Sequence, residues 1–323
     1  MKVSEYDPSK NVPDLSGKVI LVTGGTAGIG KELLVHLVTH NPSHLFFTGR
    51  NSLAAASVIS ALHNLSATVP VTFLECDLGR VSTVQSAVSK FLSTFSSPDS
   101  SQTPRLDVLV CNAGIMAVPS AVTSDGHEIQ FGTNFFGHAA LIHLLLPTLL
   151  QTAATPGSDV RLLMATSQGY GLHPRGGILF DTLHTQQKER NTWVKYGQAK
   201  LAAVLWAREM NRRYPQIRTV SVHPGVINTA LVGNLSRVNR AIVYGTNLFS
   251  MISPQEGAYN LAWCATANRE TLEGGAYYEP VGNKTKLRRD GMNDELAGKL
   301  WEWTEKELDK FGIKGQDSQE ATV

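Results

Sequence analysis

The chain has 323 residues, of which 42% are hydrophobic, so it can bury a sizeable core, and we predict one α/β domain over 1–323. Its 29 basic and 27 acidic residues give a formal net charge of only +2 and form no dense Lys/Arg block, which argues against nucleic acid as a partner. Three scattered cysteines exclude a disulfide framework, and the ten histidines show no metal-ligand spacing, so we predict no metal.

The N-terminus and the most apolar run bear on localisation. The first fifteen residues, MKVSEYDPSKNVPDL, are polar and lack the apolar stretch of a secretion signal. The run at 141–150 is too short to span a bilayer and contains His143 and Pro147, which is typical of a core helix. We therefore expect a cytoplasmic protein without an integral membrane segment.

Apolar, β-branched runs alternate with helical patterns along the chain. The runs predict six strands, at 18–25, 44–50, 70–77, 106–114, 160–167 and 217–225. Helical periodicity predicts helices between them, at 28–40, 51–64, 80–95, 125–153 and 192–213. Strands this apolar and this regularly separated by helices indicate a parallel sheet covered on both faces, a doubly wound Rossmann-type fold.

Four segments lie outside this alternation. The Ser- and Pro-rich stretch 93–105 predicts a surface loop. Segments 168–193 and 226–253 follow the fifth and sixth strands, so we expect them to form a substrate pocket over the carboxyl edge of the sheet. A C-terminal helical extension is predicted at about 290–315.

The first predicted strand runs directly into TGGTAGIG and then into a helix pattern. Glycines here permit a tight turn and let the backbone approach a pyrophosphate, whose charge a helix N-terminus favours. The spacing is G-x-x-x-G-x-G, and a plain strand-to-helix turn is the alternative. A strand before and a helix after favour dinucleotide binding.

Arg50 ends the second predicted strand, where an NAD-binding fold usually offers a carboxylate to the ribose. A guanidinium is a permanently charged fork of donors and suits a 2′-phosphate. The sequence therefore favours NADP(H) over NAD, with a solvated strand end as the alternative interpretation of Arg50.

Tyr196 and Lys200 are four positions apart on the helix predicted at 192–213. Residues i and i+4 share a helix face, so both side chains can point at one spot. A neighbouring ammonium stabilises a phenolate, so we expect Lys200 to lower the pKa of Tyr196 toward the range useful for proton transfer. An exposed surface pair is the alternative, which the glycine turn and Ser167 at the end of the fifth strand disfavour.

Six motifs occur in the chain in the order typical of one protein family: TGGTAGIG, CNAG, Asn134 in TNFFGH, Ser167 in ATS, YGQAK and HPG. This is the short-chain dehydrogenase/reductase family, which the chain resembles over roughly residues 15–280. The stretches YGQAKLAAVLWAREM and GGAYYEPVGNK are most similar to the retinol-dehydrogenase-like branch and to fungal reductases of secondary metabolism.

The resemblance implies a role for each of four catalytic residues. Tyr196 would exchange a proton with the substrate oxygen, and Ser167 would hydrogen-bond that oxygen. Lys200 would lower the pKa of the phenol and bind the nicotinamide ribose. Asn134 would hold a water that links Lys200 to solvent. As alternatives, Asn134 satisfies helix backbone groups and Ser167 caps the strand end.

The glycine turn, Arg50 and the resemblance together predict the cofactor-binding residues. Asp77 and Leu78 would meet the adenine, Asn112 to Gly114 the adenine-side ribose, and the stretch after the sixth strand the nicotinamide. Asp77 is also a candidate cap for the following helix. The predicted set is Gly24, Thr26, Gly28, Ile29, Gly30, Arg50, Asn51, Asp77, Leu78, Asn112, Ala113, Gly114, Tyr196, Lys200, Pro224, Gly225, Val226 and Thr229. His223, before Pro224, is a candidate base, although a satisfied core histidine is the interpretation we favour.

Two functions follow. The leading hypothesis is an NADP(H)-dependent oxidoreductase that interconverts a carbonyl and an alcohol on a fairly large apolar small molecule, such as a fungal secondary metabolite. The alternative is a cofactor-binding scaffold with a non-redox role, such as guiding a cyclisation. Such a scaffold should have lost catalytic residues, whereas all four are present. The resemblance also implies a homodimer or homotetramer formed through the helices at 125–153 and 192–213.

Overall fold

An eight-stranded sheet forms the centre of the computed structural model, which describes residues 1–96, 103–227 and 251–314. The strand order is β10-β9-β6-β5-β4-β1-β2-β3, and only β10 is antiparallel to its neighbour; β7 and β8 form a separate parallel pair. The strands are β1 (Val19–Val22), β2 (His44–Gly49), β3 (Val71–Glu75), β4 (Val108–Cys111), β5 (Val160–Ala165), β6 (Ile217–Val222), β7 (Val226–Ile227), β8 (Met251–Ile252), β9 (Tyr277–Glu279) and β10 (Asn283–Thr285).

Helices cover both faces of the sheet. The main helices are α1 (Gly28–Val38), α2 (Ser52–Leu65), α3 (Val81–Ser93), α4 (Gly137–Ala153), α5 (Thr192–Arg213), α6 (Tyr259–Thr266) and α7 (Asp294–Asp309). A helical turn, Ile129–Phe131, and a π-helical segment, Gly132–Phe136, lead into α4. Single turns occupy Val3–Glu5, Pro8–Asn11, Gln168–Leu172, Phe180–Thr182, Pro254–Gly257, Arg269–Thr271 and Arg289–Met292.

The predicted doubly wound fold is confirmed. All six predicted strands and five predicted helices are present, although five of the strands end two or three residues earlier than predicted. The helix predicted from 125 begins at Ile129, since the Glu128 side chain caps it by accepting from the amides of Gln130 and Phe131. The predicted surface loop at 93–105 lies partly outside the described residues.

Alternation along β1 shows why the sheet is buried on both sides. Val19 and Leu21 pack into one hydrophobic core, and Ile20 and Val22 into the other. Successive strand residues point to opposite faces, so an entirely apolar strand needs helices on both. The order reverses at β1, which pairs with β2 on one side and β4 on the other, so the crevice for a ligand lies between the loops that follow β1 and β4.

The C-terminal extension folds as α7 and covers the outer side of α4 and α5. The indole rings of Trp206 and Trp301 stack with centroids 4.5 Å apart, and the Arg213 guanidinium lies over the Trp301 ring. The His143 ring hydrogen-bonds Glu305. The homo-oligomer expected through the helices at 125–153 and 192–213 stays a prediction.

The segment Ile129–Ala153 is also long and apolar enough to cross a membrane by length and composition. In the structure, 78% of its apolar window is buried inside the protein. That burial is typical of a core helix.

Candidate active site

The backbone of the glycine turn after β1 leaves no room for side chains, because of its conformation and its close neighbours. Gly24 and Gly28 have positive φ, at 70° and 55°. A Cβ on Gly30 would lie 2.4 Å from the Gly24 carbonyl oxygen and 2.7 Å from Nδ2 of Asn112. These contacts explain three of the four glycines by backbone geometry and leave the N-terminus of α1 open to an anionic ligand.

A groove of about 330 Å³ runs along this turn. Its walls come from the ends of β1, β2 and β4, and from the loop after β3. The predicted residues in its lining are Gly24, Thr26, Gly28, Ile29, Arg50, Asp77, Leu78, Asn112, Ala113 and Gly114. An extended groove with amides at one end and an exposed guanidinium at the other fits a nicotinamide dinucleotide.

Asp77 and Asn51 behave differently from one another. The Asp77 carboxylate accepts from the Gly79 amide at 3.0 Å, and Asp77 does not cap α3, because Asp125 accepts from the Val81 amide there at 2.6 Å. Asn51 does cap α2, with Oδ1 accepting from the amide of Ala54 at 2.9 Å, and its side chain is not part of the groove lining.

A buried hydrogen-bond network joins the groove to the segment that carries Asn134. Oγ1 of Thr23 accepts from the amides of Asn112 and Ala113, each at 2.9 Å, and lies 2.9 Å from Nε2 of His138. Nδ1 of His138 lies 3.0 Å from the Asn134 carbonyl, which only accepts, so Nδ1 carries the proton and Nε2 accepts from Thr23. Burial lowers the pKa of His138 to about 4, which keeps the ring neutral.

Substituting Thr23 by valine should therefore weaken both the fold and cofactor binding. The change leaves the Ala113 amide and His138 Nε2 without their partner, at a cost of about 1–3 kcal/mol. We expect a lower unfolding midpoint in urea and a higher Kd for the cofactor. Thr23→Ser keeps the hydroxyl, so it should behave like the wild type; equal losses in both variants would rule out the network as the cause.

Asn134 lies in the π-helical segment, a feature often found at functional sites. Its Oδ1 accepts from the Ile115 amide at 2.7 Å, and its Nδ2 donates to the Ile115 carbonyl at 2.9 Å. A Cβ placed on Gly114 would lie 3.0 Å from Oδ1 of Asn134 and 3.7 Å from Nζ of Lys200. The side chain thus fixes the loop after β4, and both of its polar atoms have backbone partners.

Ser167, Tyr196 and Lys200 lie together at the carboxyl end of β5. Ser167 hydrogen-bonds the Tyr196 hydroxyl and accepts from the Gly169 amide at 3.0 Å. Lys200 Nζ donates to the Ala165 carbonyl at 3.0 Å and lies 5.7 Å from the centre of the Tyr196 ring. Tyr196 is only 8% exposed, so the alternative of a surface pair is wrong.

The direction of the Tyr196 pKa shift corrects the sequence prediction. Burial raises the pKa of Tyr196 to about 12, although the hydrogen bond with Ser167 acts to lower it. Burial also lowers the pKa of Lys200 to about 8. Removing water from the charged forms outweighs the attraction that the i, i+4 spacing suggested, so the phenol holds its proton at neutral pH.

A second cavity, of about 250 Å³, opens in front of these side chains. It shares Ile29, Asn112, Gly114 and Ile115 with the groove, so the two are continuous. Its remaining lining residues are Met116, Ala165, Thr166, Ser167, Gln168, Gly169, Leu172, Trp193, Tyr196, Lys200, His223, Pro224, Gly225, Val226 and Ile227. Predicted residue Thr229 and most of loop 226–253 lie outside the described residues.

His223 forms part of this cavity wall but is held by its neighbours. It is 4% exposed, its Nδ1 accepts from the Gly225 amide at 3.4 Å, and its carbonyl accepts from Asn260 at 2.7 Å. Burial lowers the pKa of His223 to about 4. A neutral, anchored ring agrees with the interpretation of a satisfied core histidine.

Sequence reasoning missed several residues that the fold brings to the site. Trp193 precedes Tyr196 by one helical turn, and this i, i+3 spacing was available as a signal. Met116 and Ile115 follow the NAG motif directly. No local pattern marks Thr23 and His138 as partners, because 115 residues separate them.

Comparison with known proteins identifies relatives of this chain. The sequence profile of the short chain dehydrogenase family matches residues 18–161. A short-chain dehydrogenase/reductase of Aspergillus calidoustus is 31% identical over 93% of this chain and 96% of its own length. Human polyprenol dehydrogenase is 31% identical over 90% of this chain and 84% of its own length.

A solved structure from Mycobacterium paratuberculosis superposes with a TM-score of 0.71 at 23% identity, covering 94% of this chain and 97% of its own, which supports the fold. The chain is 31% identical to both relatives over at least 90% of its length, which is enough to show its family. It belongs to the short-chain dehydrogenase/reductase family.

Proposed function

We propose that the protein is an NADP(H)-dependent oxidoreductase that interconverts a carbonyl and an alcohol on an apolar small molecule. One observation carries the proposal. The hydrogen-bonded hydroxyls of the buried Tyr196 and the half-buried Ser167 line a cavity continuous with a groove that fits a dinucleotide. An apolar cavity with a few convergent polar groups is the usual form of a small-molecule site.

The side chains divide the chemistry between them. NADPH bound in the groove would supply the hydride. Tyr196, protonated at neutral pH, would donate its proton to the carbonyl oxygen as negative charge develops there. Ser167 would hydrogen-bond the same oxygen, and the Lys200 ammonium would stabilise the phenolate that is left. In oxidation the same groups would act in reverse.

The preference for NADP(H) rests on charge at the adenine end of the groove. Arg50 is exposed at the end of β2 and lines the groove. A free guanidinium favours a 2′-phosphate over a ribose hydroxyl pair. The nearest carboxylate in the groove lining, Asp77, is engaged by the Gly79 amide.

The wall of the catalytic cavity supports an apolar substrate. Its side chains include Met116, Leu172, Trp193 and Ile227, around the polar groups of Ser167 and Tyr196. Two relatives are polyprenol dehydrogenases by name, and others are fungal proteins named short-chain dehydrogenase/reductase. We extend the proposal to a fairly large apolar alcohol or ketone, such as a secondary metabolite, and to a cytoplasmic location.

Purified protein should therefore oxidise NADPH when supplied with bulky apolar ketones, followed by loss of nicotinamide absorbance. The experiment includes a matched panel of alcohols with NADP⁺. Tight NADPH binding without turnover of any carbonyl or alcohol would instead favour the non-redox scaffold.

Arg50→Glu should reverse the cofactor preference. The change removes a charge-assisted contact and places a carboxylate near the ribose, so kcat/KM for NADPH should fall by roughly 10–100-fold while that for NADH falls less or rises. Steady-state kinetics with both cofactors measures the ratio. Arg80→Glu, outside the groove lining, is the control. An unchanged ratio in Arg50→Glu would contradict the assignment of NADP(H).

A further inference from the structure

A cluster of two histidines and a glutamate lies outside both cavities. His127 and His184 face Glu307 of α7, and one ligand atom from each of the three residues lies within 4.8 Å of the others. These residues are 57 and 123 positions apart in sequence, which explains why histidine spacing gave no sign of them. None of them lines the groove or the catalytic cavity.

The separations between ligand atoms suit a tetrahedral ion. Nε2 of His127 lies 3.4 Å from Oε2 of Glu307, and Nε2 of His184 lies 3.3 Å from Oε1 of Glu307. Bonds of about 2.0–2.1 Å around Zn²⁺ place neighbouring ligand atoms about 3.3 Å apart. The two imidazoles face different carboxylate oxygens, and the three ligand atoms are spread over up to 4.8 Å, so the exposed His184 ring would have to rotate to bring all three to one ion.

The types of ligand atom also suit a metal. Two nitrogens and one oxygen are a ligand set typical of Zn²⁺, whereas Ca²⁺ and Mg²⁺ prefer oxygen alone.

An ion has a route to the cluster. The His127 side chain is 1% exposed and that of Glu307 8%, but the His184 side chain is 45% exposed and forms the outer wall. Lys310 competes, since its Nζ lies 2.5 Å from Oε1 of Glu307. That ammonium is on a side chain 60% exposed, so it can move into solvent when a cation arrives.

We propose that His127, His184 and Glu307 form a zinc-class cation site that fastens α7 to the body of the protein. His127 precedes Glu128, whose carboxylate caps the segment leading to Asn134. His184 lies in the loop that leads to α5. The ion would therefore join three segments, two of which continue into catalytic residues, and its role is conformational.

Zinc binding to the metal-free full-length chain, without an affinity tag, tests the site. Titration of ZnCl₂ in competition with a chromophoric chelator should show one ion per chain, and thermal unfolding should shift upward by several degrees. His184→Asn removes one ligand at an exposed position and should weaken binding by at least about tenfold. Lys310→Met removes the competing charge and should tighten it.

His63→Asn is the matched control, because His63 is exposed on α2 and outside the cluster; its zinc affinity should equal that of the wild type. Circular dichroism shows whether each variant is folded. Equal zinc affinity in wild type and His184→Asn would place the ion elsewhere, for example on a cysteine, and would overturn the proposal. So would a wild type that binds no zinc at micromolar concentration.

Discussion

Tyr196→Phe should reduce turnover by roughly 10²–10⁴-fold, the usual contribution of a positioned general acid, while changing the affinity for NADPH only slightly. The phenylalanine keeps the ring that packs edge-on to Trp193 and lies against Gly169. Only the hydroxyl that hydrogen-bonds Ser167 is lost. The reduction step would then lack its proton source, although the groove and the cavity would be unchanged.

The measurement needs both kinetics and binding. Single-turnover absorbance at saturating NADPH isolates the chemical step, and fluorescence titration gives the cofactor Kd. Tyr259→Phe, on α6 and outside the catalytic cavity, is the control for loss of a phenolic hydroxyl and should keep full turnover. Turnover by Tyr196→Phe close to that of the wild type would show that another group donates the proton.

Lys200→Met should give a protein that is inactive yet more stable than the wild type. Burial lowers the pKa of Lys200 to about 8 from its ordinary value of 10.5, which means that the fold keeps a charge in a place that disfavours it. Each pKa unit corresponds to about 1.4 kcal/mol. Allowing for the lost hydrogen bond to Ala165, we expect methionine to stabilise the fold by about 1–3 kcal/mol and to lower turnover at least about 100-fold.

The pH dependence of unfolding gives the same conclusion a second test. Because the unfolded chain binds more protons than the folded chain between the two pKa values, the contribution of Lys200 to stability rises from about pH 8 to 10.5. Urea unfolding at several pH values should show this rise in the wild type. Lys200→Met should lack it.

Lys195 provides the matched comparison, because it is equally buried on α5 but better paired. Its Nζ donates to Ser120 Oγ at 2.6 Å and to the Gln186 carbonyl at 3.1 Å. Lys195→Met leaves two acceptors without a donor and should destabilise the fold. A loss of stability in Lys200→Met as large as in Lys195→Met would mean that the Lys200 charge is well accommodated.

Local pattern was enough to predict the parts of the fold in which apolar runs and helical periodicity alternate. Each of β1 to β6 contains several apolar residues, and α1 to α5 lie between these strands, so their positions and the parallel order could be predicted. Strands β9 and β10 were missed because each has three residues, too few to show alternation, and gains its place by pairing with β6 or with its neighbour. Short edge strands depend on tertiary contacts more than on propensity.

The candidate site also has features that local pattern predicts and features that depend on tertiary structure. Tyr196, Lys200 and Ser167 could be predicted because their positions follow from one helix turn and one strand end. The sign of the Tyr196 pKa shift could not, because it depends on how much water the assembled cavity removes. Likewise, the capping of α3 by Asp125 rather than Asp77 needed the approach of a segment 44 residues away.

The position of α7 has a consequence for how the chain is made. Trp206 on α5 stacks on Trp301, so during synthesis its apolar surface stays uncovered until α7 leaves the ribosome. Until then the nascent chain exposes an aromatic surface on α5, the helix that carries Tyr196. Newly made molecules should therefore depend on chaperones until α7 docks, and truncations before residue 294 should aggregate rather than yield a smaller enzyme.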